Sequence, residues 1–441
     1  MKRVWMLLVL MCAACAPGSQ MPTSPSAVSP SPWPSPWPKH ERANVYVLIH
    51  LWYQATPDRC STAGPPAPQW GPWVWSGKTD DPCQTIPGAP WLRDISSAAY
   101  PLIGPYDSGS DDVLRWQIHQ AQAAGIDGFF ASVYSWAPNL RFVFDRFFGN
   151  DEQHLKGLLQ IAHEEHFHVA LEGWGLTTPE DLATQKEPWK AEVARHLAAI
   201  QSSPYRDAYI TIGGKPAYWL IYPDWMTDSE RMTFFDGTAD DPRTVTWVIR
   251  DGLIGHTIEL DRRLMNAKAQ YPSWSDVPTP SGWNFSPLFV SDLTTERSYE
   301  NLGMIPTAHA YAGFEERVGK QPTPGFGRYG LRNGITLITD FLERAVTNGA
   351  QMIFIESWNE WGEGSMIEAG TNISKWRDEG QERNLYQDAQ GNDDPYEYLD
   401  VFRKFNGMQE WVPPQPPPCS AVDPLIRLRN QSDPHSAVPC Q

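Results

Sequence analysis

The sequence predicts an α/β fold, a (β/α)8 barrel of the TIM type with loop insertions, preceded by a signal peptide and a Pro-rich linker. Three observations support this fold class. Short apolar runs rich in β-forming residues recur along residues 42–408, helical patterns separate several of them, and no second linker interrupts this stretch. Strands that alternate with helices form parallel βαβ units. The length of the stretch is also within the range of barrels with insertions.

The N-terminal segment has the pattern of an export signal. Met1-Lys2-Arg3 precedes an apolar run that ends at Ala14, which is too short to span a bilayer as a mature helix. Small residues precede Cys15 in the manner of a bacterial lipobox. Residues 1–15 therefore predict a lipoprotein-type signal with Cys15 acylated, and plain secretion is the alternative. Both place the protein outside the cytoplasm, at the cell surface, in the periplasm or secreted.

Residues 16–41 consist mainly of Pro, Ser and small residues, a composition that favours an extended linker. A Pro-rich tail, residues 409–441, follows the body at the other end. Four cysteines remain beyond the signal: Cys60, Cys83, Cys419 and Cys440. An even number in an exported chain favours disulfides. Three pairings are possible, and proximity in sequence favours Cys60–Cys83 and Cys419–Cys440. None of these four forms a CxxC motif, so we expect no structural zinc site.

Eight strands are predicted in the body, each from a short apolar run with β-branched or aromatic residues. They are Asn44–Leu51, Ile126–Val133, His168–Leu171, Ala217–Tyr222, Val245–Ile249, Pro287–Val290, Met304–Ala308 and Gln351–Ile355. A doubly wound sheet would give a similar pattern. The number eight is what favours the barrel.

Helical patterns lie between several of these runs. The clearest follows Ser110 as a predicted N-cap, has two acidic residues in its first turn, and ends before Gly125. The other predicted helices are Glu152–His166, Pro179–Gln201, Gly334–Asn348 and Pro395–Phe405.

Composition narrows the class of ligand. The 35 basic and 52 acidic residues give a net charge of 35 − 52 = −17, which argues against nucleic acid as a partner because Lys and Arg supply affinity for phosphate. The chain also has 21 Trp, more than its 16 Tyr or 17 Phe. The flat apolar face and single N–H of Trp suit a sugar ring. The alternative is that these residues pack the core.

Aromatic and acidic residues recur directly after the predicted strands, where a barrel has its active site. His50-Leu51-Trp52-Tyr53 follows the first strand, for example. The side chains predicted to bind substrate are Trp52, Tyr53, Tyr106, Asp107, Trp136, Glu172, Trp174, Tyr222, Asp224, Tyr311, Trp358 and Asn359. Aromatic platforms with carboxylates predict a sugar-binding cleft capable of acid–base chemistry. Alternatively, the aromatic residues cap the barrel core and the acids pair with arginines.

The segment after the last strand is the most informative. Glu356, Glu360 and Glu363 follow one another closely, with Glu368 beyond them. Glycosidic cleavage uses two carboxyl groups, one to protonate the leaving oxygen and one to assist attack. Gly362 and Gly364 permit the tight turns that would bring Glu360 and Glu363 to one ligand. We therefore interpret these two glutamates as catalytic.

The run from Glu356 to Glu368, Glu-Ser-Trp-Asn-Glu-Trp-Gly-Glu-Gly-Ser-Met-Ile-Glu, resembles the signature of glycoside hydrolase family 99 and its family-99-like relatives. Three further stretches fit the resemblance in the expected order, so that together they cover most of the body. They are Gly104-Pro105-Tyr106-Asp107-Ser108, Ala124-Gly125-Ile126-Asp127-Gly128-Phe129 and Gly214-Lys215-Pro216-Ala217.

The resemblance implies a (β/α)8 barrel acting as a retaining endo-glycosidase on α-mannosides, without metal or cofactor. The paired glutamates of the family fall on Glu360 and Glu363. The resemblance makes Glu363 the general acid/base, which protonates the leaving oxygen and later activates water. Glu360 becomes the base for the substrate's own 2-hydroxyl, giving an epoxide-like sugar intermediate. Gly362 stands where characterised members commonly have His.

Two other functions remain open from the sequence. One is a surface lipoprotein that binds glycan without cleaving it, and the other is an enzyme of envelope polysaccharide assembly. No Gly-x-Ser-x-Gly, His-Glu-x-x-His or P-loop motif points to a different enzyme class. The partners expected are a polysaccharide or oligosaccharide substrate and a membrane contacted only through a lipid anchor. We expect a monomer.

Overall fold

The structure is a computed structural model. It describes residues 43–55, 60, 68–74, 80–133, 141–149, 156–174, 179–212, 215–221, 246–251, 267–270, 305–315, 329–330, 332, 334–347, 349–377, 385–388, 390–408, 414–432 and 440. The signal peptide, Cys15, the 16–41 linker and the predicted strand Pro287–Val290 lie outside these residues. The predicted domain boundaries therefore stay predictions.

Eight parallel strands close into a barrel, which confirms the predicted fold class. The strands are β1 Asn44–His50, β2 Gly128–Val133, β3 Val169–Trp174, β4 Lys215–Ile221, β5 Thr246–Asp251, β6 Ala267–Gln270, β7 Ile305–Tyr311 and β8 Met352–Glu356. Each pairs in parallel with the next strand along the chain, and β8 pairs with β1. This last pairing distinguishes a barrel from an open doubly wound sheet.

The sixth barrel strand differs from the prediction. Ala267–Gln270 occupies the place between β5 and β7 that the sequence had assigned to Pro287–Val290. The sequence of β6 is Ala-Lys-Ala-Gln, which has no apolar run and no β-branched residue. Residues of this kind are depleted in strands, so pairing with two neighbouring strands overrides the local preference.

Helices cover the outside of the ring. They are α1 Asp111–Ala123, α2 Arg141–Phe148, α3 Leu158–Glu164, α4 Pro179–Ser202, α5 Thr336–Thr347, α6 Glu397–Phe405 and α7 Pro424–Ser432. In place of the single helix predicted over residues 152–166, the structure has the shorter helix α3. Helix α2, which precedes α3, was not predicted. None of the helices in the described part of the chain is long and apolar enough to cross a membrane.

The ends of α1 follow the prediction in part. Gly125 adopts a φ of 70°, the left-handed conformation that ends helices, and Asn406 donates hydrogen bonds to the carbonyls of Ala124 and Gly125. Ser110 occupies the N-cap position, but its hydroxyl makes no capping hydrogen bond. The C-terminal end of α1 is thus fixed by glycine and by the residue following α6.

Aromatic side chains from four strands fill the barrel interior. Phe354 of β8 packs against Tyr46, Phe130 and Trp219, with ring centroids 5.5, 5.1 and 4.4 Å apart. Such aromatic pairs contribute roughly 0.5–1.5 kcal/mol each beyond the apolar area that they bury. Part of the aromatic excess therefore belongs to the core, as the alternative interpretation held.

A short antiparallel hairpin, Thr85–Ile86 with Ala89–Arg93, lies in the long insertion between β1 and α1. Other short strand pairs join Ala99–Pro101 to Gly370–Asn372 and Phe314–Glu315 to Tyr329–Gly330, and Thr211–Ile212 pairs with β4. Helix α7 packs against Ala89–Arg93. The residues beyond Pro413 that the structure describes are thereby attached to the N-terminal insertion.

Both predicted disulfides are confirmed. Cys60 is bonded to Cys83, and Cys419 is bonded to Cys440. The first closes a loop within the N-terminal insertion, and the second joins Cys440 to the 3-10 turn Cys419–Ala421, which precedes α7. Closing such loops stabilises a fold mainly by restricting the unfolded chain.

Candidate active site

The carboxyl ends of the barrel strands bring several polar side chains to one rim. His50 of β1 lies opposite Ser132 of β2, which lies opposite Glu172 of β3. On the other side of β1, Tyr311 of β7 lies opposite Glu356 of β8. These positions are separated widely in sequence and meet because all the strands are parallel.

The segment after β8, residues 357–368, is a compact turn that we call the carboxylate loop. Its own backbone folds it: the N–H of Ser365 donates to the carbonyl of Glu360 at 3.2 Å, and that of Glu368 donates to Trp358 at 2.9 Å. The Ser357 hydroxyl accepts from the backbone N–H of Glu360 at 2.8 Å. These bonds hold Glu360 and Glu363 in one fixed turn.

Gly364 is the glycine that this turn requires. Its φ is 60°, and a Cβ atom there would lie 2.8 Å from the Cβ of Glu315. The backbone N–H of Glu315 donates to the carbonyl of Glu363, so this neighbour cannot withdraw without breaking a hydrogen bond. Gly362, also predicted to permit a tight turn, is not among the glycines with positive φ.

We expect Gly364→Ala to destabilise the fold more than the matched change Gly407→Ala. Gly407 has a φ of 70° and open space within 4 Å of the position that a Cβ would take, whereas Gly364 has both a positive φ and a close neighbour. The left-handed backbone costs about 1–2 kcal/mol in both variants. The overlap adds about 1–3 kcal/mol in Gly364→Ala alone. Urea unfolding measures the free energy of unfolding of both variants. An equal loss of stability in the two would show that the loop tolerates the extra methyl group.

Glu360 is 3% exposed and lies beside an imidazole from β1. The Nε2 atom of His50 is 3.7 Å from Oε2 of Glu360. Burial lowers the pKa of His50 to about 3, although the charge of Glu356 raises it in part. The imidazole is therefore neutral at pH 7, and its contact with Glu360 is not an ion pair.

Trp52 stacks on this imidazole. The two ring centroids are 4.2 Å apart and the planes are nearly parallel, at 8°. Trp52 is partly exposed, so it can offer indole surface to a ligand beside Glu360. Among the predicted substrate-binding aromatics whose side chains are described, Trp52 is the one with this exposure.

A second pair of polar side chains joins β7 to β8. Nε2 of His309 lies 3.3 Å from Oε2 of Glu356. Glu356 is partly exposed, while His309 is fully buried between strands. The rim of the barrel thus carries an additional carboxylate, Glu356 at the end of β8, which the predicted substrate-binding set did not include.

Asp107 is held by an arginine that the sequence analysis missed. Arg146 of α2 forms an ion pair with Oδ1 of Asp107 at 2.7 Å and is itself 1% exposed. The same guanidinium donates to the carbonyls of Leu51 and Tyr53 at 2.8 Å each. Arg146 therefore fixes the chain after β1, where Trp52 lies. An arginine within the apolar run Arg-Phe-Val-Phe-Asp-Arg-Phe-Phe was the available signal.

Several side chains that were predicted to bind substrate pack or form hydrogen bonds within the protein, next to the candidate site. Trp358 is 0% exposed and packs its ring on Phe129 at 4.9 Å. The side-chain amide of Asn359 accepts from the backbone N–H of His50 and donates to its carbonyl, at 2.8 and 2.9 Å. The hydroxyl of Tyr53 accepts from the backbone N–H of Trp361 at 2.9 Å. These side chains are buried and bonded within the protein, and their contacts with substrate stay predictions.

Tyr106, Glu172 and Tyr311 are also buried, at the same end of the barrel. The other predicted ligands lie outside what the structure describes. These are Trp136, Tyr222 and Asp224, together with the side chain of Trp174. Their contacts with substrate stay predictions.

The described residues contain no group of three or more His, Cys, Asp or Glu side chains arranged to hold a metal ion. The site's chemistry, as far as it is described, consists of the carboxyl groups of Glu356, Glu360 and Glu363 with two imidazoles. Such a set can donate and accept protons around a ligand on Trp52.

Three solved structures are among those to which the fold is similar. Two are of the GH99 endo-alpha-mannosidase from Bacteroides thetaiotaomicron, one in complex with BIS-TRIS-propane; both are 15% identical to this chain and cover 82% of it, with TM-scores of 0.57 and 0.55. The match takes in 96% and 97% of those chains. The third is a glycoside hydrolase-like protein, 13% identical, with a TM-score of 0.50 over 85% of this chain and 97% of the other.

No family model and no curated protein matches the sequence. At these identities the likeness establishes the fold. It shows that the barrel with its insertions corresponds to nearly the whole length of the similar chains.

Proposed function

We propose that this protein is an exported glycoside hydrolase that cleaves glycosidic bonds of a polysaccharide or oligosaccharide. The observation that carries the proposal is the carboxylate loop. It follows β8 at the carboxyl end of the barrel, and it places buried Glu360 and partly exposed Glu363 within one hydrogen-bonded turn. Paired carboxyl groups are the catalytic groups of most glycoside hydrolases, and the carboxyl end of the strands is where a barrel has its active site.

Glu363 is the proposed general acid/base. Its partial exposure lets it meet a glycosidic oxygen, protonate the leaving group and then activate water. Glu360 is the proposed base for the sugar's 2-hydroxyl. Because His50 beside it is neutral, the imidazole does not neutralise the charge of the carboxylate, which preserves the capacity of Glu360 to accept a proton.

The proposed substrate is an α-mannoside, cleaved with retention of configuration. The sequence resemblance and the barrel shared with the GH99 endo-alpha-mannosidase support this choice. The two disulfides support export, since such bonds persist in oxidising compartments. Acylation of Cys15 would anchor the protein to a membrane through lipid alone.

The experiment that tests this function is incubation of the purified body, residue 42 onward, with α-mannans, α-glucans and defined oligosaccharides, followed by product analysis. New reducing ends from an α-mannoside are expected. Release from another glycan would correct the substrate, while binding without products on any glycan would favour the non-catalytic alternative. Transfer of sugar to an acceptor in place of water would favour the polysaccharide-assembly alternative.

Trp52→Ala is expected to weaken glycan binding about 2- to 12-fold, because an aromatic stacking contact contributes roughly 0.5–1.5 kcal/mol beyond the area that it buries. Titration of intrinsic fluorescence measures it. Trp91→Ala serves as the matched control, since Trp91 is also partly buried but packs against Trp376 in the insertion. Equal affinity in the Trp52 variant and the wild type would exclude Trp52 as a platform.

A further inference from the structure

Glu368 ends the carboxylate loop as a buried acid with three donors aimed at it. It is 1% exposed. Its Oε2 atom accepts from the hydroxyl of Tyr106 at 2.6 Å and from the indole N–H of Trp361 at 3.2 Å. Its Oε1 atom accepts from the side-chain amide of Gln117 in α1 at 2.9 Å. A carboxyl group so enclosed cannot touch substrate.

Two of these contacts lead to the proposed catalytic groups. Trp361 lies between Glu360 and Glu363 in the chain, so its indole fixes the middle of the carboxylate loop. The hydroxyl of Tyr106 also accepts from the side-chain amide of Asn359 at 3.2 Å, and Asn359 binds the backbone of His50. Glu368 is thus connected both to the loop and to the strand end beside Glu360.

The donor pattern matches the ionised carboxylate. An indole N–H and an amide NH2 can only donate, and Tyr106 already accepts from Asn359, so its own proton is directed at Glu368. A carboxylate accepts all three bonds. A protonated acid, or an amide in its place, would turn a donor towards at least one of these donors unless the Gln117 amide turned over to present its oxygen.

We propose that Glu368 is a positioning residue that holds the carboxylate loop in its reactive geometry through Trp361 and Tyr106. This inference rests on the proposed function, because it assigns Glu368 to the support of Glu360 and Glu363. It acts through other side chains and makes no contact with substrate.

Protonation provides a way to observe this network. Burial raises the pKa of Glu368 to about 7, and the hydrogen bonds from Tyr106, Gln117 and Trp361 counter that rise. The titratable groups that face it are Tyr106 and Tyr386, whose hydroxyl donates to the backbone carbonyl of Glu368. The pKa of each is raised well above the usual value for tyrosine, so neither titrates near pH 7.

The kinetic test is Glu368→Gln. We expect kcat to fall about 100-fold with KM within about 3-fold of the wild type, since a small misplacement of reacting groups costs this much without altering binding. Glu397→Gln is the matched control: Glu397 is another buried glutamate, with its pKa raised to about 8 by burial, and it contacts neither Trp361 nor Tyr106 in the described network. Wild-type kcat in Glu368→Gln, at equal folded fraction, would overturn the inference.

The second test does not depend on activity. In a ¹⁵N spectrum of the full body, the indole N–H resonance of Trp361, assigned by its loss in Trp361→Phe, should move with a midpoint near pH 7. It should stay constant in Glu368→Gln and keep moving in Glu397→Gln. The inference is overturned if the chemical shift of the Trp361 indole N–H does not change with pH in the wild type. It is also overturned if this shift changes with pH in the same way in both variants. Absence of cleavage on every glycan would overturn the proposed function, with the spectrum still deciding whether Glu368 holds Trp361.

Discussion

Glu363→Gln is expected to lower kcat on a natural glycan by about 10²–10⁴-fold while glycan binding persists, because only proton transfer is removed. Glutamine has nearly the same shape, and Glu363 sits in a turn fixed by the backbone bond from Glu315 and by the conformation of Gly364. Steady-state kinetics with product detection, beside a binding titration of the inactive variant, measures both quantities.

An activated substrate separates an acid from a merely structural residue. A glycoside of the same sugar with a dinitrophenolate leaving group needs little protonation, so Glu363→Gln should lose far less kcat/KM on it than on the natural glycan, since kcat/KM reports the step that expels the leaving group. Glu343→Gln in α5, away from the strand ends, should behave as wild type on both. An equal loss of kcat/KM on both substrates in Glu363→Gln would contradict the general-acid role.

Arg93→Met is expected to destabilise the protein by about 3–5 kcal/mol, because it leaves the carboxylate of Asp423 buried without its cation. Nε of Arg93 lies 2.6 Å from Oδ2 of Asp423, and the two side chains are 7% and 1% exposed. Arg93 also donates to the carbonyl of Pro82 at 3.0 Å. The pair joins the N-terminal hairpin to the start of α7, so the change should loosen the C-terminal segment. Urea unfolding with both disulfides intact measures the cost.

Lys404→Ala is the matched control for this pair. Lys404 binds Asp400 one helical turn away in α6, with both side chains partly exposed. Solvent screens such a pair, and its loss should cost less than about 1 kcal/mol. Similar costs in the two variants would mean that the Arg93–Asp423 pair contributes no more than a surface contact.

The strands of the barrel were largely predictable because most carry their own apolar signal. Val45 to Ile49 and Ile353 to Ile355 are fully buried runs that only a strand between two layers explains well. Ala267–Gln270 carries no such signal. It becomes a strand because β5 and β7 flank it on both sides, which depends on residues far away in the chain.

The site was predictable as a location and less so as a set of contacts. Glu360 and Glu363 follow a buried strand, and the rule that barrel sites lie at strand ends identifies them. Burial was not visible in the sequence: Trp358 was predicted to bind substrate, yet its side chain is 0% exposed. Arg146 was missed because its partners, the Asp107 carboxylate and two backbone carbonyls after β1, are far from it in the sequence.

The sequence by itself favoured the barrel class, favoured the pairing of neighbouring cysteines and located the cluster of acids after the last strand. Each of these follows from local chemistry: periodic apolar residues, spacing along the chain, and residue type next to a strand. The tertiary structure alone decided which aromatic residues face solvent, which imidazole lies beside Glu360 and what surrounds Glu368. Those properties depend on distance between residues remote in sequence, because burial and hydrogen bonding are set by neighbours in space.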